Sequence, residues 1–188
     1  MKLASFTGAW RPMCEQCRMI RLAMLSGCRV EEILTARWDD IDYKTGCWTV
    51  PTHIDGKAVT KATRAGHFAN FVPLSTAARA LLREHKGNGR VFSIRSAQTL
   101  LNVYTGYGMK GDVTNHGARS TMSDIGTEEL GVALHVVEAS LSHTVKEGSG
   151  ASYGVNSPYF KERQKFLQAV GEFYETPDNA NVVPLKAA

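Results

Sequence analysis

Apolar residues recur at helical spacing in the opening stretch of the chain. Met13, Cys17, Ile20 and Met24 share one face of a helix predicted from about Arg11 to Ser26. Gly27 breaks the pattern, and Val30 to Arg37 resumes it as a second helix with Ile33 and Leu34 facing inward. The period then shortens to that of strands, over Trp38 to Tyr43, Cys47 to Pro51, Ala58 to Lys61 and Phe68 to Pro73. Lys44-Thr45-Gly46 makes a turn between the first two, and Asp55-Gly56 marks one before the third. Helices return at Thr76 to Lys86, with Ser75 as N-cap, Ala77, Ala80, Leu81 and Leu82 on the apolar side, and Gly87-Asn88-Gly89 as the stop.

Val91 to Ile94 is a short apolar segment and Ser96 to Tyr104 a further helix. A glycine-broken stretch from Gly106 to Gly111 leads into helices near His116 to Glu128 and Leu134 to Leu141. Glu147-Gly148-Ser149-Gly150 reads as a flexible link, and a last helix runs from about Pro158 to Tyr174. From Thr176 onward the chain reads as a loosely held tail. No internal repeat occurs. The expected class is α+β, mainly helical with one small antiparallel sheet.

Composition narrows the function classes. The 188 residues suffice for one domain with a proper core and are too few for two, and 43% hydrophobic with 21% charged is ordinary globular usage. No apolar run approaches the ~20 residues that cross a bilayer. The start, MKLASFTGAWRPM, lacks a signal-peptide core, so a cytoplasmic location is expected. Charge changes the picture more. Residues 57–95 hold eight Lys/Arg (Lys57, Lys61, Arg64, Arg79, Arg83, Lys86, Arg90, Arg95) against one acid, Glu84, within a chain of net charge only +4. A basic central third suits either a polyanionic partner or a plain solvated face.

Four cysteines stand at 14, 17, 28 and 47, with Cys14 and Cys17 in a single CxxC. A zinc site would need two further ligands from Cys28, Cys47 or a histidine, and with no second CxxC and no HxxxH partner, small, partly buried thiols in a reducing compartment are the simpler reading.

Taken singly, the remaining polar residues carry little weight. Arg29 opens a helix and Glu32 sits three residues on, the spacing of an ordinary ion pair. His116 and Arg119 lie one turn apart, His143 closes a helix where its charge would face the helix dipole, and Tyr153 follows the glycine-rich link. Their order and spacing say more. Ser26-Gly27-Cys28-Arg29-Val30-Glu31-Glu32, followed by Leu34, Trp38 and Asp40-Ile41-Asp42, then Lys61 ahead of Val72-Pro73-Leu74, His116 with Arg119, and Leu141-Ser142-His143 with Tyr153 ten residues beyond, resemble the tyrosine recombinase (phage integrase) family along almost the whole chain. The last helix, PYFKERQKFLQAVGEF, is similar to the closing helix of P4-type prophage integrases.

The resemblance implies the catalytic-domain fold of that family and site-specific recombination of double-stranded DNA. Tyr153 would attack a phosphodiester and form a 3′-phosphotyrosine. Arg29 and Arg119 would bind the phosphate oxygens, Lys61 would protonate the departing 5′-hydroxyl, and His116 and His143 would donate hydrogen bonds or shuttle protons. Glu32 would hold Arg29 or His116 in place. The residue types suit the reaction, because guanidinium forks match phosphate oxygens and the extra charge of a five-coordinate phosphorus. A tyrosine with a free pKa near ~10 also benefits from such a positive cluster. The scheme calls for no metal and no cofactor.

Lys57 and Arg64 remain alternatives to Lys61, because the stretch to Val72 is longer than the usual hairpin. Tyr159 is the competing nucleophile, disfavoured because it opens the final helix beside Phe160; His67 and His135 read as structural. Only about 28 residues precede Arg29, which leaves no room for the DNA-clamping domain that usually comes first. Residues 1–175 are thus expected to be the catalytic domain, either cut from a longer chain or resembling short single-domain recombinases. Two rival readings are a non-cutting DNA-binding relative and a type IB topoisomerase-like enzyme. Phe166, Leu167, Val170 and Phe173 form an apolar stripe that suits either the core or a neighbouring protomer in a tetramer on DNA.

Overall fold

A computed structural model of the chain describes residues 14–54, 57–59, 70–106, 114, 116–142 and 159–175. Within these, the elements in order are α1 (Glu15–Ser26), α2 (Val30–Thr35), a 3₁₀ turn (Trp38–Asp40), β1 (Ile41–Asp42), β2 (Cys47–Val50), β3 (His53–Ile54) and β4 (Lys57–Ala58). They are followed by β5 (Asn70–Pro73), α3 (Thr76–Arg83), α4 (Ala97–Gly106), α5 (Gly117–Asp124), a π-helical turn (Ile125–Glu129), α6 (Leu134–Ser140) and α7 (Phe160–Glu175).

Helix α1 is the centre of the helical layer. It packs against α2, α3, α4, α5 and α7, and Met19, Leu22 and Leu25 on its inner face are at most 1% exposed. The sheet covers one side of this core. β2 is its middle strand, antiparallel to β1 and to β5, with Trp48 opposite Val72. Those two side chains are wholly buried, while Thr49 and its partner Phe71 are only partly so, the two-residue alternation of a sheet wetted on one face.

The expected class is the one observed, mainly helical with a small antiparallel sheet, but two details differ. β3 and β4 form a separate two-stranded hairpin rather than joining one sheet. The segment Trp38 to Asp40, expected as the start of a strand, is a 3₁₀ turn, and α2 stops at Thr35 instead of Arg37. Both have one cause: Arg37 bridges Arg90, with Trp38 N–H donating to Gly89 and Val91 N–H to Ala36, each at 2.9 Å. That distant segment takes the backbone groups a longer helix or strand would have used.

The stripe on α7 packs within its own chain. Phe166, Leu167 and Val170 are at most 2% exposed, against α3, α6 and β5. Gly171 allows the close approach to α3, since a Cβ there would meet Ser75 Oγ at 3.1 Å. Thr76 N–H, at the start of α3, donates to Gln168 on α7 at 2.9 Å.

Among the described residues no helix is long and apolar enough to cross a membrane, and no group of three or more His, Cys, Asp or Glu could hold a metal ion. Several expectations fall outside the described residues: Lys61, Arg64, His67, His143 and Tyr153, the segments 11–13, 107–111 and 147–150, and the tail from residue 176.

Candidate active site

The corner between α1 and α2 builds one wall of the site. Gly27 caps α1 in the left-handed region (φ 66°), its N–H donating to Ala23. It has no room for a side chain either, because a Cβ there would fall 2.8 Å from Met122 Sδ and 3.1 Å from Leu141 Cδ2. Glycine is thus required twice over, by conformation and by space. The chain leaves Gly27 through Cys28 and starts α2 with Arg29 as N-cap. There Glu32, one turn along, accepts the Arg29 N–H at 2.6 Å, and its other oxygen lies 3.7 Å from Arg29 Nη1. This is one half of a capping box, and it fixes the direction in which the Arg29 side chain leaves the helix.

Of the two partners expected for Glu32, the structure gives it Arg29. Glu32 is 4% exposed, and burial raises its carboxyl above the usual range against the opposing pull of the Arg29 N–H, Arg29 and Arg119.

The second wall is the end of α6. Leu141 caps it, and Ser142 follows in the left-handed region (φ 52°), turning the chain out of the helix just ahead of His143. Two successive carbonyls of this turn are taken by the two arginines. Arg119 donates through Nη2 to Leu141 O, and Arg29 through Nη2 to Ser142 O at 3.3 Å. Arg119 also donates through Nη1 to the Gly27 carbonyl, so one guanidinium ties the α1–α2 corner to the α6 turn.

Arg119 is 3% exposed; burial first, and the neighbouring Arg29 charge second, lower its pKa from the ordinary arginine value. Two like charges held this close favour an anion between or beside them. Arg29 is the more open of the pair, with 27% of its side chain exposed.

The structure therefore brings Arg29, Glu32 and Arg119 together from α2 and α5. His116 is the N-cap residue of α5, and its carbonyl accepts from Arg119 N–H at 3.0 Å. Its side chain is exposed where that of Arg119 is buried, so the two residues of the box divide between surface and interior. Tyr159 sits directly before α7 with φ 58°, partly buried and packed against His135 with ring centroids 4.7 Å apart and the rings tilted by 56°.

The carbonyls of Gly27, Leu141 and Ser142 were beyond sequence reasoning, since backbone groups carry no residue-type signal. Arg163 was missed although a signal existed. It lies three and four residues before Phe166 and Leu167, on the apolar face of α7, and is 1% exposed with Nη2 donating to Asn70 Oδ1 at 3.1 Å. Burial pulls its pKa down to about 10.

Comparison with known proteins shows the family of the chain. The family model described as the phage integrase family matches residues 11–153, a span that contains Arg29, Glu32, Lys61, His116, Arg119 and His143 and ends on Tyr153. The chain belongs to the phage integrase family. Among relatives, it is 28% identical over 205 residues to the protein IntB of Escherichia coli K12, covering 100% of this chain and 50% of that protein. It is 30% identical over 171 residues to prophage integrase IntA of the same organism, covering 85% of this chain and 39% of the relative. It is 26% identical over 177 residues to the integrase of enterobacteria phage P4, covering 85% and 40% respectively. The chain thus spans half or less of the length of these curated relatives. No solved structure matches it.

Proposed function

We propose that this chain is the catalytic domain of a site-specific tyrosine recombinase acting on double-stranded DNA, with Tyr153 as nucleophile. The observation that carries the reading is the pair of guanidiniums, from helices about ninety residues apart in the chain, gripping consecutive carbonyls at Leu141 and Ser142. The carbonyls hold the two guanidiniums in place, and their paired positive charge matches the two non-bridging oxygens of a phosphodiester.

In the reaction, the Tyr153 oxygen attacks the scissile phosphorus and displaces the 5′-oxygen, so that a phosphotyrosine bond forms as the P–O5′ bond breaks. The phosphotyrosine conserves the bond energy for rejoining. Arg29 and Arg119 stabilise the charge that builds on the non-bridging oxygens. The tyrosine proton is lost to solvent or a histidine, and Lys61 protonates the departing 5′-hydroxyl. His116, exposed at the start of α5, and His143, just beyond the Ser142 turn, hydrogen-bond to the phosphate or carry protons. Glu32 acts through Arg29 as a positioning residue. The scheme uses no metal or cofactor. The protein assembles as a homo-oligomer, a tetramer on two DNA sites.

The described surroundings of Tyr159 support Tyr153 as nucleophile, because Tyr159 is engaged in packing against His135. The test is a nicked suicide DNA substrate followed by denaturing gel electrophoresis. Wild type is expected to form a covalent protein–DNA adduct with or without chelator. Tyr153→Phe forms none, and Tyr159→Phe retains it. An adduct that survives in Tyr153→Phe, or one lost on chelation, overturns the assignment.

A further inference from the structure

The cysteine pair at the start of α1 takes no part in the chemistry above, yet its geometry is that of a reactive dithiol. Cys14 is the N-cap residue of α1 and Cys17 lies in the first turn. The Cys17 backbone N–H donates to Cys14 Sγ at 3.4 Å, and the two sulfurs are 2.9 Å apart, with Cys14 donating to Cys17. A disulfide needs the sulfurs at about 2.05 Å and the Cα atoms within about 7 Å, a separation the first turn of a helix already provides. Closing the remaining gap is a matter of side-chain rotation.

Access is divided as such chemistry requires. Cys14 is exposed, and Cys17 is 8% exposed behind it. The remaining thiols are unsuited: Cys28 is 3% exposed and its thiol is pushed far up by burial, and Cys47, on a strand, is also raised by burial. The turn that carries the pair is anchored, since Glu15 accepts from Ser93 Oγ at 2.6 Å and from Ser93 N–H. Arg18 lies over the Phe92 ring at 6.0 Å.

We propose that Cys14 and Cys17 form a reversible dithiol–disulfide site that exchanges with low-molecular-weight disulfides of the glutathione type. The Cys14 thiolate attacks one sulfur of the oxidised disulfide, forming a mixed disulfide and releasing one thiolate. Cys17, deprotonated, then attacks Cys14 Sγ, closing the internal bond and releasing the second thiolate. Two protons and two electrons leave the protein, and one external disulfide becomes two thiols.

The experiment equilibrates the purified chain in glutathione buffers of stepped oxidation at neutral pH, quenches with acid, alkylates and digests with trypsin. Both cysteines fall on one peptide ending at Arg18, so an internal disulfide reads as the loss of two hydrogens and of both alkyl labels. Wild type is expected to acquire that bond while Cys28 and Cys47 remain labelled after denaturation. Cys17→Ser is expected to stop at a glutathione adduct on Cys14, and Cys14→Ser to form neither species.

Wild type that keeps both labels at every buffer, that accumulates only the mixed disulfide, or that links into dimers through Cys14 overturns the proposal. So does a stoichiometric zinc ion in the purified protein that disappears in Cys14→Ser.

Discussion

Arg119 donates a hydrogen bond to the carbonyl of Gly27, a residue 92 positions earlier in the chain. The same guanidinium reaches Leu141, so the buried arginine is at once a structural rivet and a source of positive charge for the site. Lysine keeps the charge but lacks the planar fork that can hold two carbonyls and a phosphate at once.

Arg119→Lys is therefore expected to lower DNA cleavage by roughly 100-fold or more, the scale of losing one preorganised donor at a developing anion. Stranding one buried carbonyl costs about 1–3 kcal/mol of stability as well. Adduct formation in single turnover and urea unfolding measure the two effects. Full activity together with lowered stability would mean that Arg119 is only the rivet.

Gly27→Ala tests the corner itself. A left-handed residue with a Cβ costs about 1–2 kcal/mol, and displacing Met122 from a 2.8 Å contact adds strain. The expected loss is on the order of 2–4 kcal/mol by urea unfolding, and it should come with weakened cleavage because the carbonyl that Arg119 grips is displaced. A change within experimental error would show that the corner relaxes freely.

Ser142 offers the opposite test. Its φ of 52° puts a residue with a side chain where glycine is more at ease. Ser142→Gly should stabilise the protein by about 0.5–1 kcal/mol, and Ser142→Val should destabilise it by about 1 kcal/mol or more, β-branched residues tolerating this region worst. Thermal midpoints of the two variants decide it; Val matching Ser would refute the strain argument.

Glu32 predicts a pH dependence. Burial raises its folded pKa above the ordinary carboxyl range, so the folded state holds its proton more tightly than the unfolded chain does. Its favourable contribution is then fully present below the unfolded pKa and is lost as pH rises through the folded one. Relative to Glu32→Gln, wild type should lose stability as pH climbs from about 4 through the raised pKa. A difference between the two proteins that stays flat with pH, or runs the other way, would contradict burial as the dominant influence.

The local pattern carried most of the helices and the strand pair β2 and β5. Trp48 and Val50 alternate with wetter neighbours along β2, and Ser75 is a capping residue that accepts from Ala78 as its position implies. Elements that trade partners with distant segments were the ones misjudged. The bridge between Arg37 and Arg90 shortens α2 and converts Trp38 to Asp40 into a 3₁₀ turn, and no local propensity encodes it.

On its own, the sequence determined the family, because arginines, histidines and a tyrosine at those intervals form a legible pattern. It also determined the Gly27 corner, since only glycine suits a break of that kind between two helices. Only the tertiary structure decided what those residues hold. Arg29 and Arg119 meet on Leu141 and Ser142, Arg163 is buried on the inner face of α7, and the α7 stripe packs within the chain. The physical reason is common to all three. Backbone carbonyls and shared cavities have no letter in the sequence, and they come within reach of a side chain only once helices far apart in the chain have packed.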